Sequence, residues 1–564
     1  MPDARPILPG GVASAYTDTF ARDNLPPPEL WAPMDYSALP ELKAYPNRIN
    51  AARELLDRHV GAGRGSRPAI WFEDKVWSYA ELKDRSDRIA RVLTTEFGLV
   101  PGNRVLLRGP NNPMMAACWF AVLKAGGIAV ATMPLLRARE LVFILEKAQI
   151  RLALCDAALA DEMEAARART NIVERVGYFT RLGDASLSAA DLDRQMARVG
   201  SGFEPVDTAA DDTALIAFTS GTTGQPKGTM HFHRDVMAMC DCFPRYVFKG
   251  SPDDIYTGSP PLAFTFGLGA VLCFPMRFGA GTVLLEKFSP DAILETIQRY
   301  RVTALYTAPT GYRAMTELAA KFDLSSLRKC VSAGETLALP TFEGWRDATG
   351  IKIIDGLGST EMLHIFVSAS GDEIKPGATG KAIAGYQAEV MDDDGNVLPP
   401  GKFGNLAVRG PTGCRYLDDP ARQCSYVRHG WNFPGDIYAR DEDGYFHYQA
   451  RADDMIVSAG YNISGPEVEA VLLDHPKVRE CAVVASPDAE RGFVVKAFVV
   501  ARQPGEANAA TVKELQDFVK AEIAPYKYPR AIEFVEMLPR TETGKVQRFR
   551  LRQQELERAK SKAS

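Results

Sequence analysis

Between residues 69 and 354, short apolar runs alternate with stretches of helical period, and this alternation constrains the fold more than any other feature. Arg104–Arg108, Ile128–Thr132, Leu152–Cys155, Thr303–Thr307, Cys330–Ala333 and Ile351–Ile354 are strand-length and rich in aliphatic residues. Helical patterns occupy Tyr79–Phe97, Met114–Ala125 and Ala138–Ala148. A strand apolar on both faces needs cover on both, and helices between successive strands supply it. The pattern therefore predicts an α/β fold of parallel sheets coated by helices. A helix over Ile49–Val60 precedes them. A hairpin of Ala69–Phe72 and Lys75–Tyr79, turning at Glu73-Asp74, follows it.

Near Gly380 the texture changes. Gln387–Met391, the turn Asp392–Gly395 and Gly404–Arg409 read as a small antiparallel unit. After Arg451 comes a compact α+β unit: helix Gly465–Leu473, strands Cys481–Val484 and Val494–Val500, and helix Ala510–Ile523. The expected division is a large N-terminal domain, 1–452, and a small C-terminal domain, 453–564. Residues 1–45 read as an irregular leader, and Glu555–Lys562 as a frayed, solvated helical end.

The 564 residues suggest three to five structural units at ~100–200 residues each. Lys+Arg number 66 against 71 Asp+Glu, a net charge of −5, which argues against a general nucleic-acid binder. Hydrophobic residues at 46% and charged residues at 24% exclude a disordered chain. The longest apolar stretch, Met114–Pro134, is interrupted by Lys124, Gly126 and Gly127, so it reads as a buried helix and strand, not a membrane span. The first twenty residues lack a basic start followed by an apolar core, so no secretory signal is expected. Nine cysteines without regular spacing read as reduced, mostly buried thiols of a cytoplasmic protein. His231 and His233, read at a helix start, point to different faces and lack a third ligand, so no metal is assigned to them.

The run Thr219-Ser220-Gly221-Thr222-Thr223-Gly224-Gln225-Pro226-Lys227-Gly228 follows the apolar strand Ala214–Phe218. Its glycines let backbone N–H groups turn toward an anion, its four hydroxyls add donors, and Lys227 adds charge. This is the composition of a phosphate cradle. It is not a Walker A loop, because Gly228 follows Lys227 where that motif has Ser or Thr. Further strings follow in order: Val331–Glu335, Asp355–Glu361, Trp431–Asp436, Arg451–Asp454 and Pro539–Lys545.

Together these six motifs resemble the adenylate-forming superfamily of acyl- and aryl-CoA synthetases, luciferases and peptide-synthetase adenylation domains, over about residues 45–555. The resemblance implies an ATP site at Thr219, Ser220, Gly221, Thr222, Thr223, Gly224, Lys227, Gly334, Glu335, Asp355, Gly356, Leu357, Gly358, Ser359, Asp436 and Arg451. It implies phosphate binding by Thr360, Mg²⁺ at Glu361 and a catalytic role for Lys545. It further implies a mobile C-terminal domain hinged at Asp453, with Ser458, Ala459, Gly460 and Tyr461 on a strand lining the CoA thiol tunnel. Pro434 departs from the family's usual Thr before Gly435-Asp436.

A carboxylate is a poor electrophile, and attack on the α-phosphate of ATP converts it to an acyl-adenylate. Two anions must meet, so positive charge is needed. Mg²⁺ on Glu361 and the Lys227 loop can hold the departing pyrophosphate. Lys545 can neutralise charge between carboxylate and α-phosphate. Phe264, where many relatives have His, and the run Glu361–Phe366 resemble benzoate-CoA ligases. The leader Thr17–Pro27 resembles 2-aminobenzoate-CoA ligases. Phe264, Phe266 and Ala333 suit a planar ring. Thr265 either hydrogen-bonds an ortho substituent or is satisfied by nearby backbone. His364 either lines the pocket or is structural. The reading is an ATP-dependent aryl-CoA ligase using ATP, Mg²⁺ and coenzyme A, with no nucleic-acid or membrane partner. A homodimer is compatible with it. The alternatives are a carrier-protein-loading enzyme, a medium-chain fatty acyl-CoA ligase and a non-catalytic nucleotide sensor.

Overall fold

The computed structural model describes residues 11–184, 186, 191–219, 226–335, 337, 339–451, 455–539, 546 and 548–563. The chain forms two compact units: Met1–Pro134 with Ile144–Phe218 and Gly228–Ala450, and Leu135–Phe143 with Thr219–Lys227 and Arg451–Ser564.

The larger unit holds the expected parallel sheets. In one six-stranded sheet, Arg104–Arg108 lies between Ile128–Thr132 and Leu152–Asp156, parallel to both. A nine-stranded sheet carries Ile255–Gly258, Ala304–Thr307, Lys329–Ala333 and Ile353–Gly358 as parallel neighbours. The hairpin Pro68–Phe72 and Lys75–Ser78 forms its edge, with Glu73 in the left-handed region at φ 50°. A separate six-stranded sheet pairs Gln387–Met391 antiparallel with Phe403–Arg409. Fold class and sheet types thus match the sequence reading.

The apolar stretch folds as read. Asn112 accepts from the Met115 N–H and caps helix Pro113–Lys124, with Pro at the first turn. Every residue of that helix is buried. Its one charge, Lys124, is fully buried and bonds Asp57 and Asp87, each at 2.6 Å. A buried ammonium is tolerable only when paired in this way. Among the described residues, no helix is long and apolar enough to cross a membrane.

The structure adds detail to two local readings and corrects a third. The Ile49–Val60 helix contains π-helical turns at Arg53–Asp57 and continues in another at Val60–Arg64. The leader is irregular but anchored: Asp18 pairs with Arg104, and Ser14 bonds Asp212 at 2.5 Å. The C-terminal helix, Arg548–Ala563, is not simply a solvated end. Glu555 is buried and takes hydrogen bonds from Lys496 at 2.8 Å and Ser486 at 2.7 Å.

The smaller unit packs helices Gly465–Asp474 and Ala509–Glu522 on the antiparallel strands Val478–Asp488 and Gly492–Ala501. Val468, Leu472, Val483, Val499, Leu515 and Val519 form its core. Eight of the nine cysteines are buried, all are free, and Cys424 is exposed.

Candidate active site

Thr307, Ser332 and Asp355 are consecutive partners across three parallel strands. The carboxyl ends of these strands share one edge, where open α/β sheets bind ligands. Ala333 pairs with Gly356 there, and Gly334 and Glu335 continue past the strand. The sheet therefore gathers two of the predicted nucleotide motifs by register alone. Gly334 is exposed, Glu335 half-buried, and the Glu335 carboxylate accepts from the Thr310 N–H at 3.4 Å.

Asp355 is half-buried, but its Oδ1 is enclosed and, among the described residues, has no hydrogen-bond partner. Burial pushes its carboxyl up to about 8, against a weak opposing hydrogen bond from Gly356. The raised pKa fixes the sign of a pH effect. Between about pH 4 and 8 the folded chain holds a proton that the unfolded chain releases, so stability falls as pH rises through that window. Asp355→Asn is expected to remove most of this pH-dependent loss. Thermal melting at pH 5 and 8 checks it: the difference between the two melting temperatures shrinks in the variant.

Ser359, Thr360 and Glu361 follow the strand Ile353–Gly358. Glu361 is buried, and its Oε1 accepts a hydrogen bond from Tyr416 at 2.7 Å. The Thr360 carbonyl lies 2.7 Å from His231 Nε2, and the Ser359 and Tyr426 hydroxyls are 3.3 Å apart. Asp436 is buried at the start of strand Asp436–Arg440. Tyr438, on that strand, is buried, and burial first, then the nearby Asp436 carboxylate, push its phenol up. Tyr416, Tyr426 and His231 were not legible as site residues, because Tyr416 is 55 residues from Glu361 and His231 is 129 from Thr360. His231 lies on strand Lys227–Phe232, not on a helix; His233 opens the next helix and accepts from the Ala51 N–H at 3.1 Å. Among the described residues, no cluster of three or more His, Cys, Asp or Glu could hold a metal by itself. One buried carboxylate still fits Mg²⁺, which binds through one or two carboxylates, waters and substrate phosphates.

The acid-pocket candidates divide. Phe266, His364, Phe274, Phe243 and Tyr306 form an aromatic cluster. His364 is 4.5 Å from Phe274, 5.6 Å from Phe266 and 6.0 Å from Phe243 between ring centroids. Tyr306 lies 6.1 Å from Phe266. His364 is buried. Burial lowers its imidazole to about 3, against a hydrogen bond to the Phe266 carbonyl at 3.3 Å that raises it. The ring is therefore neutral at physiological pH, and among the described residues its Nδ1 has no hydrogen-bond partner. Gly269 makes this packing feasible, since a Cβ there would sit 2.4 Å from His364 Cδ2. Phe264 precedes helix Thr265–Leu268 and makes no aromatic pair among the described contacts. Thr265 and Ala333 are buried.

In the smaller unit, Ser458 and Tyr461 pair across the hairpin Met455–Ser458 and Tyr461–Ser464. Ala459 and Gly460 form its two-residue turn at φ 48° and 82°, the geometry of a tight hairpin turn with both central residues left-handed. The predicted tunnel strand is thus the tip of a hairpin. Tyr461 stacks on Tyr526 at 4.2 Å. Thr219 ends strand Thr213–Thr219, Lys227 opens the next strand, and Arg451 closes Phe446–Arg451. Ser220, Gly221, Thr222, Thr223, Gly224, Asp453 and Lys545 lie outside the described residues.

Comparison with known proteins accords with these motifs. Residues 56–415 match the AMP-binding enzyme family, and residues 467–545 match the AMP-binding enzyme C-terminal domain. The chain is 34% identical to a benzoate–CoA ligase of Thauera aromatica, over 92% of this chain and 98% of that one. It is 33% identical to the mitochondrial acyl-coenzyme A synthetase ACSM4 of Rattus norvegicus, over 96% of each. The crystal structure of the anthranilate CoA ligase AuaEII in complex with anthranoyl-AMP superposes with a TM-score of 0.71, at 32% identity, covering 93% of this chain and all of that one. Motif order, sheet architecture and extent of similarity agree: the chain belongs to the AMP-binding enzyme family and is an acid–thiol ligase of the acyl- and aryl-CoA kind, using ATP and coenzyme A.

Proposed function

We propose that this ligase activates a planar aromatic acid, 2-aminobenzoate or benzoate, and transfers the aryl group to coenzyme A. The observation that carries this reading is the aromatic cluster around His364, which begins three residues after Glu361 on the same chain segment. Phe266, Phe274 and a neutral His364 are the flat apolar rings that an aromatic guest beside them would meet, and such rings favour offset or edge contacts. The similarity to a benzoate–CoA ligase and to an anthranilate CoA ligase supports the same class.

In the first half-reaction a carboxylate oxygen attacks the α-phosphorus of ATP. The acyl–phosphate bond forms as the α–β phosphoanhydride breaks. Thr219–Gly224 and Lys227 cradle the phosphates, Thr360 donates to them, and Lys545 balances the charge between the two anions. Mg²⁺ held at Glu361 would screen the phosphate oxygens of pyrophosphate as it departs. Gly334, Glu335, Asp355–Ser359, Asp436 and Arg451 bind the nucleoside portion. In the second half-reaction the C-terminal domain, 453–564, turns about Asp453 and Lys545 withdraws. The CoA thiol then enters past Ser458–Tyr461, forms the C–S bond and displaces AMP.

Thr265, buried at the first turn of its helix, is the candidate reader of an ortho amino group. Thr265→Ala is expected to reduce the preference for 2-aminobenzoate over benzoate by about three- to tenfold, the worth of one hydrogen bond. Competition between the two acids, scored as a ratio of kcat/KM, checks it; an unchanged ratio removes Thr265 from the role. The similarity to the acyl-coenzyme A synthetase ACSM4 favours a second reading, a medium-chain fatty acid. Adding hexanoate and octanoate to the same competition separates the two: the aromatic reading requires an aryl acid to dominate.

A further inference from the structure

Three side chains from separate parts of the larger unit grip the Ser359–Glu361 turn. The Tyr416 hydroxyl donates to Glu361 Oε1 at 2.7 Å. His231 Nε2 lies 2.7 Å from the Thr360 carbonyl. A carbonyl only accepts, so Nε2 carries the proton. Tyr426, bonded to Ser359, packs edge-on against Tyr416 at 5.7 Å.

A buried ion pair joins the segments that carry these donors. Arg415 is 1% exposed and Asp235 fully buried; Nη1 and Oδ2 are 2.7 Å apart. Arg415 adjoins Tyr416, and Asp235 is four residues from His231, whose Nδ1 faces Asp235 Oδ2 at 3.8 Å. The Phe232 N–H also donates to Asp235, at 2.9 Å. The Arg415 guanidinium lies 3.9 Å over the Phe232 ring and 5.0 Å from the Trp31 ring. Backbone bonds run in parallel, with the Met230 N–H donating to the Arg415 carbonyl at 2.8 Å. Burying such a pair stabilises little by itself, whereas breaking it is costly, so its natural effect is to fix geometry.

We propose that Tyr416 and His231 are positioning residues for acyl-adenylate formation, fixing the Glu361 carboxylate and the Thr360 backbone, with Asp235–Arg415 as the brace that keeps the two donors in register. This rests on the reading of Glu361 and Thr360 as cation and phosphate ligands. A hydrogen bond to one carboxylate oxygen orients the lone pairs of the other, and partners of this kind commonly change metal affinity or activity by about 10–100-fold when removed.

Tyr416→Phe deletes the donor and keeps the ring against Tyr426. His231→Leu deletes the other donor, and His231→Gln restores an N–H at a similar reach. The full-length protein is assayed for Mn²⁺ binding in the presence of ATP by electron paramagnetic resonance, for ATP–pyrophosphate exchange, and for thioester formation from supplied acyl-adenylate. Tyr416→Phe is expected to weaken Mn²⁺ binding about tenfold and slow exchange about 10–100-fold, with thioester formation unchanged. His231→Leu is expected to slow exchange at least tenfold and His231→Gln to recover most of it. Glu361→Gln serves as the reference. If it loses Mn²⁺ binding and exchange while Tyr416→Phe keeps both, the proposal is overturned and the reading of Glu361 stands. If His231→Gln is as impaired as His231→Leu, His231 is merely structural and the proposal is overturned for it. If Glu361→Gln itself retains both, the reading of Glu361 fails and the proposal falls with it.

Discussion

Lys545→Ala is expected to slow acyl-adenylate formation by about 10²–10³-fold while leaving thioester formation from supplied acyl-adenylate within a few-fold of wild type. The asymmetry follows from charge. In the first half-reaction a carboxylate approaches a polyanion, and a cation placed between them is worth most as negative charge concentrates on the transferring phosphoryl group. In the second half-reaction a thiol attacks a neutral acyl carbon and AMP departs, so that cation has little to offset. About 3–4 kcal/mol of transition-state stabilisation is being asked of one ammonium group. Lysine suits the task, since a compact charge on a flexible stem can be supplied and withdrawn. Separate assays of the two half-reactions check the prediction, and equal loss in both would contradict the assigned role.

Glu361→Gln has a comparable expected effect for a different reason. The amide has the shape of the carboxylate and still offers an oxygen to the Tyr416 hydroxyl. Only the charge is lost. Adenylation is expected to fall about 10²–10³-fold, with the Mg²⁺ concentration needed for half-maximal rate rising at least tenfold. The folded state is expected to survive, because replacing a buried carboxylate by a neutral isostere removes a desolvation cost. A Mg²⁺ titration of ATP–pyrophosphate exchange together with a melting curve checks both halves of the statement. A slowed variant with an unchanged Mg²⁺ requirement would place the cation elsewhere.

The local elements were legible because each carries its own signal. Helix Pro113–Lys124 has an Asn cap, a Pro at its first turn and an unbroken apolar surface. The strand Ile128–Thr132 is a short aliphatic run behind two glycines. Strand order was not legible. A buried apolar run looks alike whichever neighbour it pairs with, so nothing local places Ile255–Gly258 beside Ala304–Thr307. The same limit governs the site. The nucleotide motifs are contiguous strings, and the strands Lys329–Ala333 and Ile353–Gly358 carry two of them to one sheet edge. Tyr416, Tyr426 and His231 reach the Ser359–Glu361 turn from far along the chain and belong to no such string. His231 reads as helical in sequence because the run His231–Asp235 hides the strand end at Phe232. Ser458–Tyr461 reads locally as a strand, although Ala459 adopts a left-handed conformation that side chains ordinarily avoid. That turn is set by hairpin pairing, which neighbouring residues reveal only in three dimensions.

The most direct measurement is product analysis by mass spectrometry. The purified protein receives ATP, Mg²⁺, coenzyme A and an equimolar mixture of 2-aminobenzoate, benzoate, hexanoate and octanoate. The expected products are AMP, pyrophosphate and a dominant 2-aminobenzoyl-CoA or benzoyl-CoA. A dominant medium-chain acyl-CoA would contradict the aromatic reading of the cluster around His364. Aryl-adenylate accumulating without thioester would contradict coenzyme A as the acceptor.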